Sequence, residues 1–514
     1  MDQKQSLRQF FKGKNIFITG GSGFMGKALI EKLLRSCPDI ENIYMLIRPK
    51  KGKSLNERLQ EIFSNCLFEI LQNTNPEIFK KVIPINGNVL EKNLGLSNED
   101  RQLLIEKIHI VFNAAASVKF DDFFNVGILT NLRSARDVAL LALDMKHICS
   151  FVHVSTAFCN INEKEIVEEK LYLPRGDWRE AIYVSENGDN TIVNTLSHKY
   201  LEGFPNTYTY TKHLAEHCVN DLLADKIPTV IVRPTIVIPS LYEPFVGWLD
   251  NMNGPMGILS AAGAGLLRIA FGHPDVSIDC IPVDEAVKVF LVTCWHVANT
   301  GPTNTALVVN ASAHGEKLMS VNDIASIALE ISWKTPMEYK IWYPTNPSTA
   351  LTESKLYYNI NVILFHVIPA FFLDLIIRAA GYPPIIMKIQ RKLYNGTAAL
   401  AYFMCHEWQF LNPVLRRIFE ELPESEVAEF KYGSVKDDEH VYRYLCACVN
   451  TARWILLKET KEVKPSSHKT HKLVYVLDRI CKTSFFIWLF WFVFIKHSLL
   501  VVLYQALKNY WISL

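Results

Sequence analysis

Short β-branched runs alternate with helical patterns over the first 240 residues of the chain. Alternation of this kind predicts parallel strands joined by helices that cover both faces of a sheet. The strands are predicted at 15–19, 42–47, 108–113, 151–155 and 229–233, and the first helix at 27–35. The expected fold class is therefore α/β, with a doubly wound parallel sheet.

The pattern changes twice farther along the chain. Residues 175–206 are mostly polar and include Gly188-Asp189-Asn190, which predicts an irregular loop. From about residue 345, long apolar and amphipathic segments replace the strand patterns. We therefore expect three parts: an α/β domain over 1–345, a mainly helical domain over 346–465, and a basic linker with an apolar tail over 466–514.

Composition excludes two classes of site. The chain has 514 residues with 54 Lys and Arg against 52 Asp and Glu, which leaves no excess positive charge to attract nucleic acid. Its 11 cysteines are scattered, and none has the C-x-x-C spacing of a zinc site. We expect neither nucleic acid nor a metal as a ligand.

The tail carries a membrane signal. Ser484 to Ile495 is apolar throughout, and a second apolar run follows Lys496 and His497. Together the runs approach the length of about 20 residues that crosses a bilayer, but the polar pair leaves open a spanning helix, an in-plane anchor or a buried core helix. Eight Lys and Arg residues lie between Arg453 and Lys482 and one after His497, which predicts that the preceding domain faces the cytosol.

A second apolar segment, Ile360 to Ile377, has a different character. It contains His366, Pro369 and Asp374, which argue against an uninterrupted spanning helix. We expect this segment to form helical core or the wall of an apolar tunnel rather than to enter a membrane. His366 is expected to be a structural histidine and not a catalytic base.

The first predicted strand ends in a glycine-rich turn that leads into the first helix. Glycines at 20, 23 and 26 let the backbone bend and approach a pyrophosphate, while the helix N-terminus supplies amide donors. This arrangement predicts a Rossmann-like dinucleotide site. The candidate contacts in the turn are Thr19, Gly20, Gly23, Phe24, Met25 and Gly26.

Two further strand ends refine the cofactor. The second strand ends at Arg48, where a protein that prefers NAD usually carries an acidic residue. A cation there suits a 2′-phosphate, so we expect NADP(H) with Arg48 as a contact. The strand predicted at 108–113 runs into Ala114 and Ala115, small residues that let the backbone pass beside the adenine ribose and diphosphate.

A catalytic pattern follows. Ser155 and Thr156 close one strand, and Tyr208 and Lys212 stand four residues apart at the start of a helix, on one helical face. The charge of the lysine is expected to lower the pKa of the phenol from about 10 toward neutrality. The spacing from strand end to helix, about 50 residues, makes this pattern more specific than Y-x-x-x-K alone.

At this point the chain resembles the extended short-chain dehydrogenase/reductases, and more closely the alcohol-forming fatty acyl-CoA reductases with a male-sterility-type helical C-terminal domain. Most of the chain takes part in the resemblance. The matching blocks are 19–26, 152–157, 205–216, 232–237, 243–257, 279–284, 365–370, 408–410 and 453–459.

The resemblance implies roles for the catalytic residues. Tyr208 would be the general acid, Lys212 its activator and a ribose ligand, and Thr156 the hydroxyl that orients the carbonyl. Ser155 is the second choice for the role of Thr156. The implied cofactor set also includes Asn88, Val89, Asn131, Pro234 and Thr235.

The implied reaction takes two hydrides from NADPH. They reduce a long-chain acyl-CoA through an aldehyde to the primary alcohol and release CoA. The expected location is the endoplasmic reticulum membrane, with the peroxisomal membrane as the alternative, and the resemblance allows a homodimer.

Three other functions stay open. One is an acyl-CoA reductase that stops at the aldehyde, and another is a sterol or sugar-nucleotide reductase or epimerase on the same fold. The third is a catalytically silent NADP sensor, suggested by Asn88 and Asn113, which replace an aspartate and a histidine common in the family. The presence of Thr156, Tyr208 and Lys212 argues against a silent protein.

Overall fold

Seven parallel strands form one sheet at the centre of the protein, in the spatial order Leu307–Ala311, Thr229–Pro234, Ser150–Val154, Ile110–Asn113, Asn15–Thr19, Asn42–Ile47 and Val82–Asn86. The computed structural model describes residues 5–50, 52–120, 122–162, 165–252, 254–315, 318–433 and 437–496, with 504, 505, 508 and 509. The strands are β1 (Asn15–Thr19), β2 (Asn42–Ile47), β3 (Val82–Asn86), β4 (Ile110–Asn113), β5 (Ser150–Val154), β6 (Ile166–Val167), β7 (Thr229–Pro234), β8 (Ile236–Ile238), β9 (Ala270–Phe271), β10 (Cys280–Pro282), β11 (Leu307–Ala311), β12 (Leu351–Thr352) and β13 (Gln409–Phe410).

Helices cover both faces of the sheet and make up most of the C-terminal part. They are α1 (Leu7–Phe11), α2 (Phe24–Ser36), α3 (Leu55–Phe63), α4 (Glu69–Thr74), α5 (Asn98–Lys107), α6 (Phe124–Gly127), α7 (Ser134–Asp144), α8 (Trp178–Asn187), α9 (Asn190–Thr195), α10 (Ser197–Tyr200), α11 (Thr207–Leu223), α12 (Pro255–Gly263), α13 (Val283–Thr300), α14 (Val321–Lys334), α15 (Pro347–Ala350), α16 (Lys355–Val362), α17 (Ile368–Ala379), α18 (Ile386–Leu400), α19 (Pro413–Glu420), α20 (Glu424–Phe430), α21 (Asp438–Thr451) and α22 (Pro465–Phe490). Single π turns occupy Ile128–Arg133, Ile363–Val367, Ala452–Leu456 and Trp491–Lys496, and 3₁₀ turns Cys66–Phe68, Pro76–Lys81, Lys92–Gly95 and Ala157–Asn160.

The sheet separates two hydrophobic cores. Helices α2 and α13 pack on one face, and α7 and α11 pack on the other. Strand residues are buried on both sides because helices cover both faces, as in other doubly wound sheets. The strand order reverses between β1 and β4, whose ends pair through Thr19 and Asn113. In open α/β sheets such a reversal creates a crevice at the carboxyl ends of the strands.

The predicted α/β fold is confirmed, and the strands predicted from the sequence lie within one or two residues of their positions in the structure. Two strands of the sheet were not predicted. β3 contains Pro84, which weakens a strand pattern, and lies at the edge of the sheet. β11 lies at the opposite edge and reads Leu-Val-Val-Asn-Ala, an apolar run too short to assign from periodicity alone.

The prediction of an irregular loop over 175–206 is wrong. Three helices, α8 to α10, occupy most of this stretch. Asp177 caps α8 by accepting a hydrogen bond from the amide of Arg179, and Asp189 caps α9 in the same way. The helices form because α8 buries Trp178 and Ile182 against the core, so tertiary packing outweighs the polar composition.

The C-terminal part is mainly helical, as predicted, and it adds strands to the α/β part. β13 pairs with β6, and β12 pairs with β9. The expectation that Ile360 to Ile377 forms core or a tunnel wall is wrong for most of its side chains, which are exposed. Within the described residues, the helical stretch Lys355–Ala379 is the one helix long and apolar enough to cross a membrane.

The tail begins as a docked helix and ends as an exposed one. α22 buries Ser467, His471 and Asp478 against the protein. Its apolar end, Phe485 to Trp491, is exposed. His497 and most of the second apolar run lie outside the described residues.

Candidate functional site

The glycine-rich turn forms a cradle between β1 and α2. Gly20 has φ +76°, and a Cβ there would lie 2.7 Å from the amide nitrogen of Ala115. A Cβ on Gly26 would lie 2.2 Å from the carbonyl oxygen of Gly20. The amide of Gly23 donates to the same carbonyl at 2.9 Å. Only glycine fits at position 20, because of its positive φ and the backbone after β4, and at position 26, because the helix passes so close to the turn.

The N-terminus of α2 suits an anion. Its N-cap is Gly23, and no side chain caps the helix there. The first amides of the helix are therefore left to bind a ligand at the positive end of the helix dipole. Phe24 stacks on Trp248 with ring centroids 5.0 Å apart, and Met25 packs against the core. These two predicted contacts therefore offer a ligand their backbone rather than their side chains.

Thr19 and Asn113 tie the two strand ends together beneath the cradle. The hydroxyl of Thr19 donates to Oδ1 of Asn113 at 2.7 Å and accepts from the amide of Ala115 at 3.2 Å. The Nδ2 of Asn113 lies 3.1 Å from Nδ1 of His153. Ala114 and Ala115 are half-buried directly beside Gly20. Asn113 thus has a structural partner on each side, and the small residues leave the cradle open.

Two arginines meet where β2 ends. The exposed Arg48 stands at the strand end, and the guanidinium of Arg58 donates to the carbonyl of Arg48. Arg58 belongs to α3, which begins with a capping box between Ser54 and Glu57. The sequence pattern gave no reason to select Arg58. The capping box was the available signal, because it predicts a helix that turns back toward the strand.

The side chain of Asn88, after β3, forms hydrogen bonds within its own loop. The Oδ1 of Asn88 accepts from the amide of Leu90 at 3.2 Å, and its Nδ2 lies 3.2 Å from Oε1 of Glu91. Val89 is half-buried against the core. Asn88 and Val89 remain predicted cofactor contacts, and the side-chain amide of Asn88 also stabilises the loop.

The tyrosine and lysine lie at the start of α11, as predicted. Asn206 caps this helix by accepting from the amide of Thr209 at 2.9 Å. Tyr208 is half-buried, and the hydroxyl of Thr156 lies close enough to its phenol to lower the pKa of that phenol. One helical turn later, the buried Nζ of Lys212 donates to the carbonyl of Val154 at 2.6 Å. The helix therefore brings both residues to the end of β5.

The electrostatics differ from the expectation. Burial raises the pKa of Tyr208 to about 12, and the hydrogen bond to Thr156 offsets only part of this rise. The prediction that Lys212 lowers the pKa of the phenol is wrong, because the ammonium bonds to a backbone carbonyl. Burial lowers the pKa of Lys212 to about 8. At neutral pH the phenol is protonated and the lysine is mainly charged, so the phenol is ready to donate a proton.

Ser155 and Thr156 point in different directions. The hydroxyl of Ser155 lies 3.7 Å from Sγ of Cys159 and hydrogen-bonds to Glu216, away from the phenol. Successive side chains of an extended chain alternate between its two sides. The geometry therefore favours Thr156 over Ser155 beside the reacting oxygen.

Asn131 fixes the floor of the crevice. Its Oδ1 accepts from the amide of Ser117 at 2.8 Å, and its Nδ2 donates to the hydroxyl of Thr211 at 3.0 Å. It joins the loop after β4 to the helix that carries Tyr208. Both ends of this side-chain amide contact protein groups, and Asn131 stays a predicted cofactor contact.

Pro234 and Thr235 lie at the end of β7 and are buried. The amide of Thr235 donates to the carbonyl of Ala311 at 3.0 Å, and its side chain hydrogen-bonds to Asp279. Burial raises the pKa of Asp279 to about 6. This network fixes the strand end on which the two predicted nicotinamide neighbours lie.

Aromatic residues from distant segments form one side of the site. The ring of Phe120 lies 5.7 Å from that of Tyr208 and 5.4 Å from that of Phe403. Phe158 packs against Phe403 as well. We call this cluster the aromatic wall, and it consists of Phe120, Phe158, Phe403, Trp408 and Phe410. The sequence pattern carries no signal for Phe120 or Phe403, since isolated aromatic residues are common and these two are almost 300 residues apart.

Comparison with known proteins gives the family. A family model described as an NAD-binding male sterility protein matches residues 18–290, and a second male sterility model, named Sterile, matches residues 365–459. Fatty acyl-CoA reductase 1 of Xenopus laevis is 35% identical over 508 residues, covering 98% of this chain and 95% of the relative. The chain belongs to the fatty acyl-CoA reductases. Its Homo sapiens relative, also named fatty acyl-CoA reductase 1, is 32% identical with the same coverage.

Another relative is fatty acyl-CoA reductase wat of Drosophila melanogaster, 34% identical over 83% of this chain and 81% of its own length. Among solved structures, the terminal R domain from the myxalamid PKS-NRPS pathway matches 86% of this chain and 90% of its own, with a TM-score of 0.56 and 15% identity. The R domain of a nonribosomal peptide synthetase from Mycobacterium tuberculosis gives a TM-score of 0.55. At such low identity the structural matches show the fold alone. This fatty acyl-CoA reductase is thus an oxidoreductase with a Rossmann-like NAD-binding domain.

Proposed function

We propose that the protein uses NADPH to reduce a long-chain fatty acyl-CoA to the primary alcohol through an aldehyde. The observation that carries the proposal is the neighbouring pair of the Tyr208 phenol and the Thr156 hydroxyl, with Lys212 one helical turn after Tyr208, at the carboxyl end of β5. Two neighbouring hydroxyls can both donate hydrogen bonds to a single carbonyl oxygen. The glycine cradle supports a dinucleotide in the same crevice.

Each residue has a defined task in this scheme. A bound NADPH supplies hydride to the carbonyl carbon of the substrate. Thr156 and Tyr208 donate hydrogen bonds to the carbonyl oxygen and stabilise the negative charge that develops there. The phenol of Tyr208 then transfers its proton to that oxygen. The buried ammonium of Lys212, which donates one hydrogen bond to the carbonyl of Val154, would bind the ribose through its remaining hydrogens.

Two rounds give the alcohol. In the first, the thioester gains a hydride and a proton, and the hemithioacetal expels CoA as a thiol to leave the aldehyde. In the second, the aldehyde gains a hydride and a proton at the same oxygen site. The aromatic wall beside Tyr208 excludes water and offers an apolar surface to the acyl chain. The overall change consumes two NADPH and two protons.

The preference for NADPH is supported by two guanidiniums. Arg48 and Arg58 lie together at the end of β2, where the 2′-position of the adenosine ribose is bound in Rossmann folds. A pair of arginines suits the two negative charges of a 2′-phosphate. No carboxylate follows β2 directly, since the next residues are Arg48, Pro49 and Lys50.

We also propose that the catalytic domain acts on the cytosolic face of a membrane, in the endoplasmic reticulum or in peroxisomes. The charge bias around the tail supports this side, with eight Lys and Arg residues between Arg453 and Lys482. The domain limits 1–345, 346–465 and 466–514 stay proposals as well.

The test is reduction of palmitoyl-CoA by the full-length protein in detergent, with NADPH or NADH and with lipid products separated by gas chromatography. We expect hexadecanol with NADPH. Tyr208→Phe should lower kcat by about 100-fold or more, because it removes the general acid. Tyr210→Phe is the matched control, since it changes a buried tyrosine of the same helix that packs against Phe204.

The possible products separate the hypotheses. Hexadecanal without hexadecanol would reduce the proposal to an aldehyde-forming reductase. Absence of both products, or equal rates for wild type and Tyr208→Phe, would overturn it.

A further inference from the structure

The helical stretch Lys355–Ala379 has a mean hydropathy of 2.3 over its most apolar window, yet only 22% of that window is buried. It comprises α16, the π turn and α17. Its exposed large apolar side chains form what we call the outer face. The outer face consists of Leu356, Tyr357, Ile360, Ile363, Leu364, Phe365, Val367, Ile368, Phe371, Phe372, Leu375 and Ile376.

The polarity of this helix is inverted relative to that of a helix on a water-soluble protein. The two ionisable residues in its interior, His366 and Asp374, are buried against the protein. The Nε2 of His366 accepts from the amide of Arg268 at 2.9 Å, and the carboxylate of Asp374 accepts from the amides of Ile385, Ile386 and Met387 at 2.9 Å. A helix at a water surface turns apolar residues inward and polar ones outward. The medium outside this helix is therefore apolar.

The helix lies along the protein and does not leave it. Every fourth residue from Tyr358 to Asp374 is buried, namely 358, 362, 366, 370 and 374. Tyr358 packs on Phe271 at one end, and Asp374 caps the start of α18 at the other. The wider π turn, Ile363–Val367, keeps this four-residue stripe on one side. A helix held along its whole length can enter a bilayer only in the plane of the interface.

Positive charge borders the outer face. Arg378, Lys388, Arg391 and Lys392 are exposed, and none of them forms an ion pair within the part of the chain that the structure describes. On α18, Lys388 and Lys392 lie on the side opposite the buried Gln390 and Thr397. We call the four cations the basic rim. An apolar face with a cationic rim complements the anionic headgroups and acyl region of a lipid bilayer.

The tail helix α22 and the helix under the outer face share Arg268 as a neighbour. Arg268 binds His366 through its amide, and its guanidinium Nη2 lies 3.5 Å from Oδ1 of Asp478 in α22. The exposed apolar end of α22 begins seven residues after Asp478, at Phe485. One residue therefore connects the helix under the outer face to the tail helix. A bilayer is a single partner that can cover both.

We propose that the outer face and basic rim form a second membrane-attachment surface, which lies in the plane of the interface and is separate from the C-terminal tail. The proposal does not depend on the chemistry at Tyr208.

The test measures the depth of labelled positions in the full-length protein. Single cysteines replace Leu356, Leu364 or Ile376 in a Cys481→Ser background, because Cys481 is the exposed native cysteine. Each is labelled with an environment-sensitive NBD fluorophore and reconstituted into phosphatidylcholine vesicles with 30% phosphatidylserine. Leu173→Cys is the matched control, since Leu173 is exposed and lies outside the outer face.

We expect all three labels to shift to shorter emission wavelengths and to be quenched to similar extents by lipids brominated near the headgroup. The label at Leu173 should stay unquenched. Deep quenching at Leu364 with shallow quenching at both ends would overturn the in-plane arrangement in favour of a spanning helix. A wavelength shift without quenching by brominated lipid would assign the face to a second copy of the chain and overturn the proposal.

Charge reversal tests the basic rim separately. Lys388→Glu with Lys392→Glu should abolish the stimulation of NBD quenching by phosphatidylserine, because anionic headgroups then repel the rim. Lys12→Glu with Lys107→Glu is a matched double reversal of exposed lysines far along the chain. Equal responses of the two double variants would overturn the role of the rim.

Discussion

The buried ion pair between Glu216 and Arg233 joins the helix of Tyr208 to a central strand. Nε of Arg233 donates to Oε1 of Glu216 at 2.8 Å, and Nη2 donates to Oε2 at 2.7 Å. Neither side chain has exposed surface. Burial alone would raise the pKa of Glu216, but the charge and hydrogen bonds of Arg233 lower it to about 2. Cys159 adds a weaker contact at 3.2 Å.

We expect Glu216→Gln to destabilise the protein, because the Arg233 cation stays buried without its carboxylate. Removal of one partner of a buried pair costs about 3–5 kcal/mol. The entropy of unfolding is about 2.1 cal/mol/K per residue, or about 1 kcal/mol/K for a chain of 514 residues that unfolds cooperatively. The melting temperature should therefore fall by about 3–5 °C. Glu216→Leu combined with Arg233→Met removes both charges and should recover part of this loss.

The assay is thermal unfolding followed by tryptophan fluorescence in detergent, with Glu106→Gln as the control. Glu106 pairs with Lys146 at the surface, so its loss should leave the melting temperature unchanged. A fall of less than about 1 °C for Glu216→Gln would refute the reasoning. So would a double variant that is as unstable as the sum of its single variants.

The pH dependence gives an independent check. The pKa of Glu216 is about 2 in the folded protein and about 4.3 in an unfolded chain. A lowered folded pKa contributes stability that is complete above the unfolded value and is lost as the pH falls through the folded value. The difference in melting temperature between wild type and Glu216→Gln should thus be constant from pH 7 to pH 5 and shrink below about pH 4.3. A difference that grows on acidification would contradict the assignment.

Three further outcomes are expected. Gly26→Ala should weaken NADPH binding at least 10-fold in a fluorescence titration, because its Cβ would lie 2.2 Å from a carbonyl oxygen of the turn. Gly396→Ala is the control and should bind NADPH normally, since a Cβ at Gly396 would meet open space. Arg48→Ala and Arg58→Ala should each raise the KM for NADPH more than that for NADH, and equal effects on both cofactors would exclude the 2′-phosphate contact. Burial lowers the pKa of Lys212 to about 8, so kcat/KM for NADPH should fall as the pH rises through about 8, and a flat profile from pH 7 to pH 9.5 would exclude this dependence.

Local signals in the sequence were sufficient for the cofactor turn and the catalytic helix. The glycine spacing and the Y-x-x-x-K pattern each depend on neighbours within eight residues, and the structure has both in the predicted elements. The class of fold followed from the same short-range alternation. Family resemblance extended these local signals over the whole chain.

Properties that depend on distant contacts could not be predicted in this way. The pKa of Tyr208 is raised by burial under residues from other segments, among them Phe120, and periodicity does not report such burial. Phe403 reaches the site only because α18 ends beside it. The prediction that Ile360 to Ile377 forms core or a tunnel wall was wrong for a related reason. An apolar run indicates that its side chains avoid water, but it does not indicate whether protein or lipid covers them.

One stripe of α11 explains how the site combines chemistry with rigidity. Tyr208, Lys212 and Glu216 are four residues apart, so they lie on one face of the helix. The first meets Thr156, the second bonds the carbonyl of Val154, and the third binds Arg233 of β7. The side chains become more buried from Tyr208 to Lys212 to Glu216, so the phenol at the start of the helix is the group that faces the crevice. The same two strands that anchor the helix therefore set the position of its reactive group.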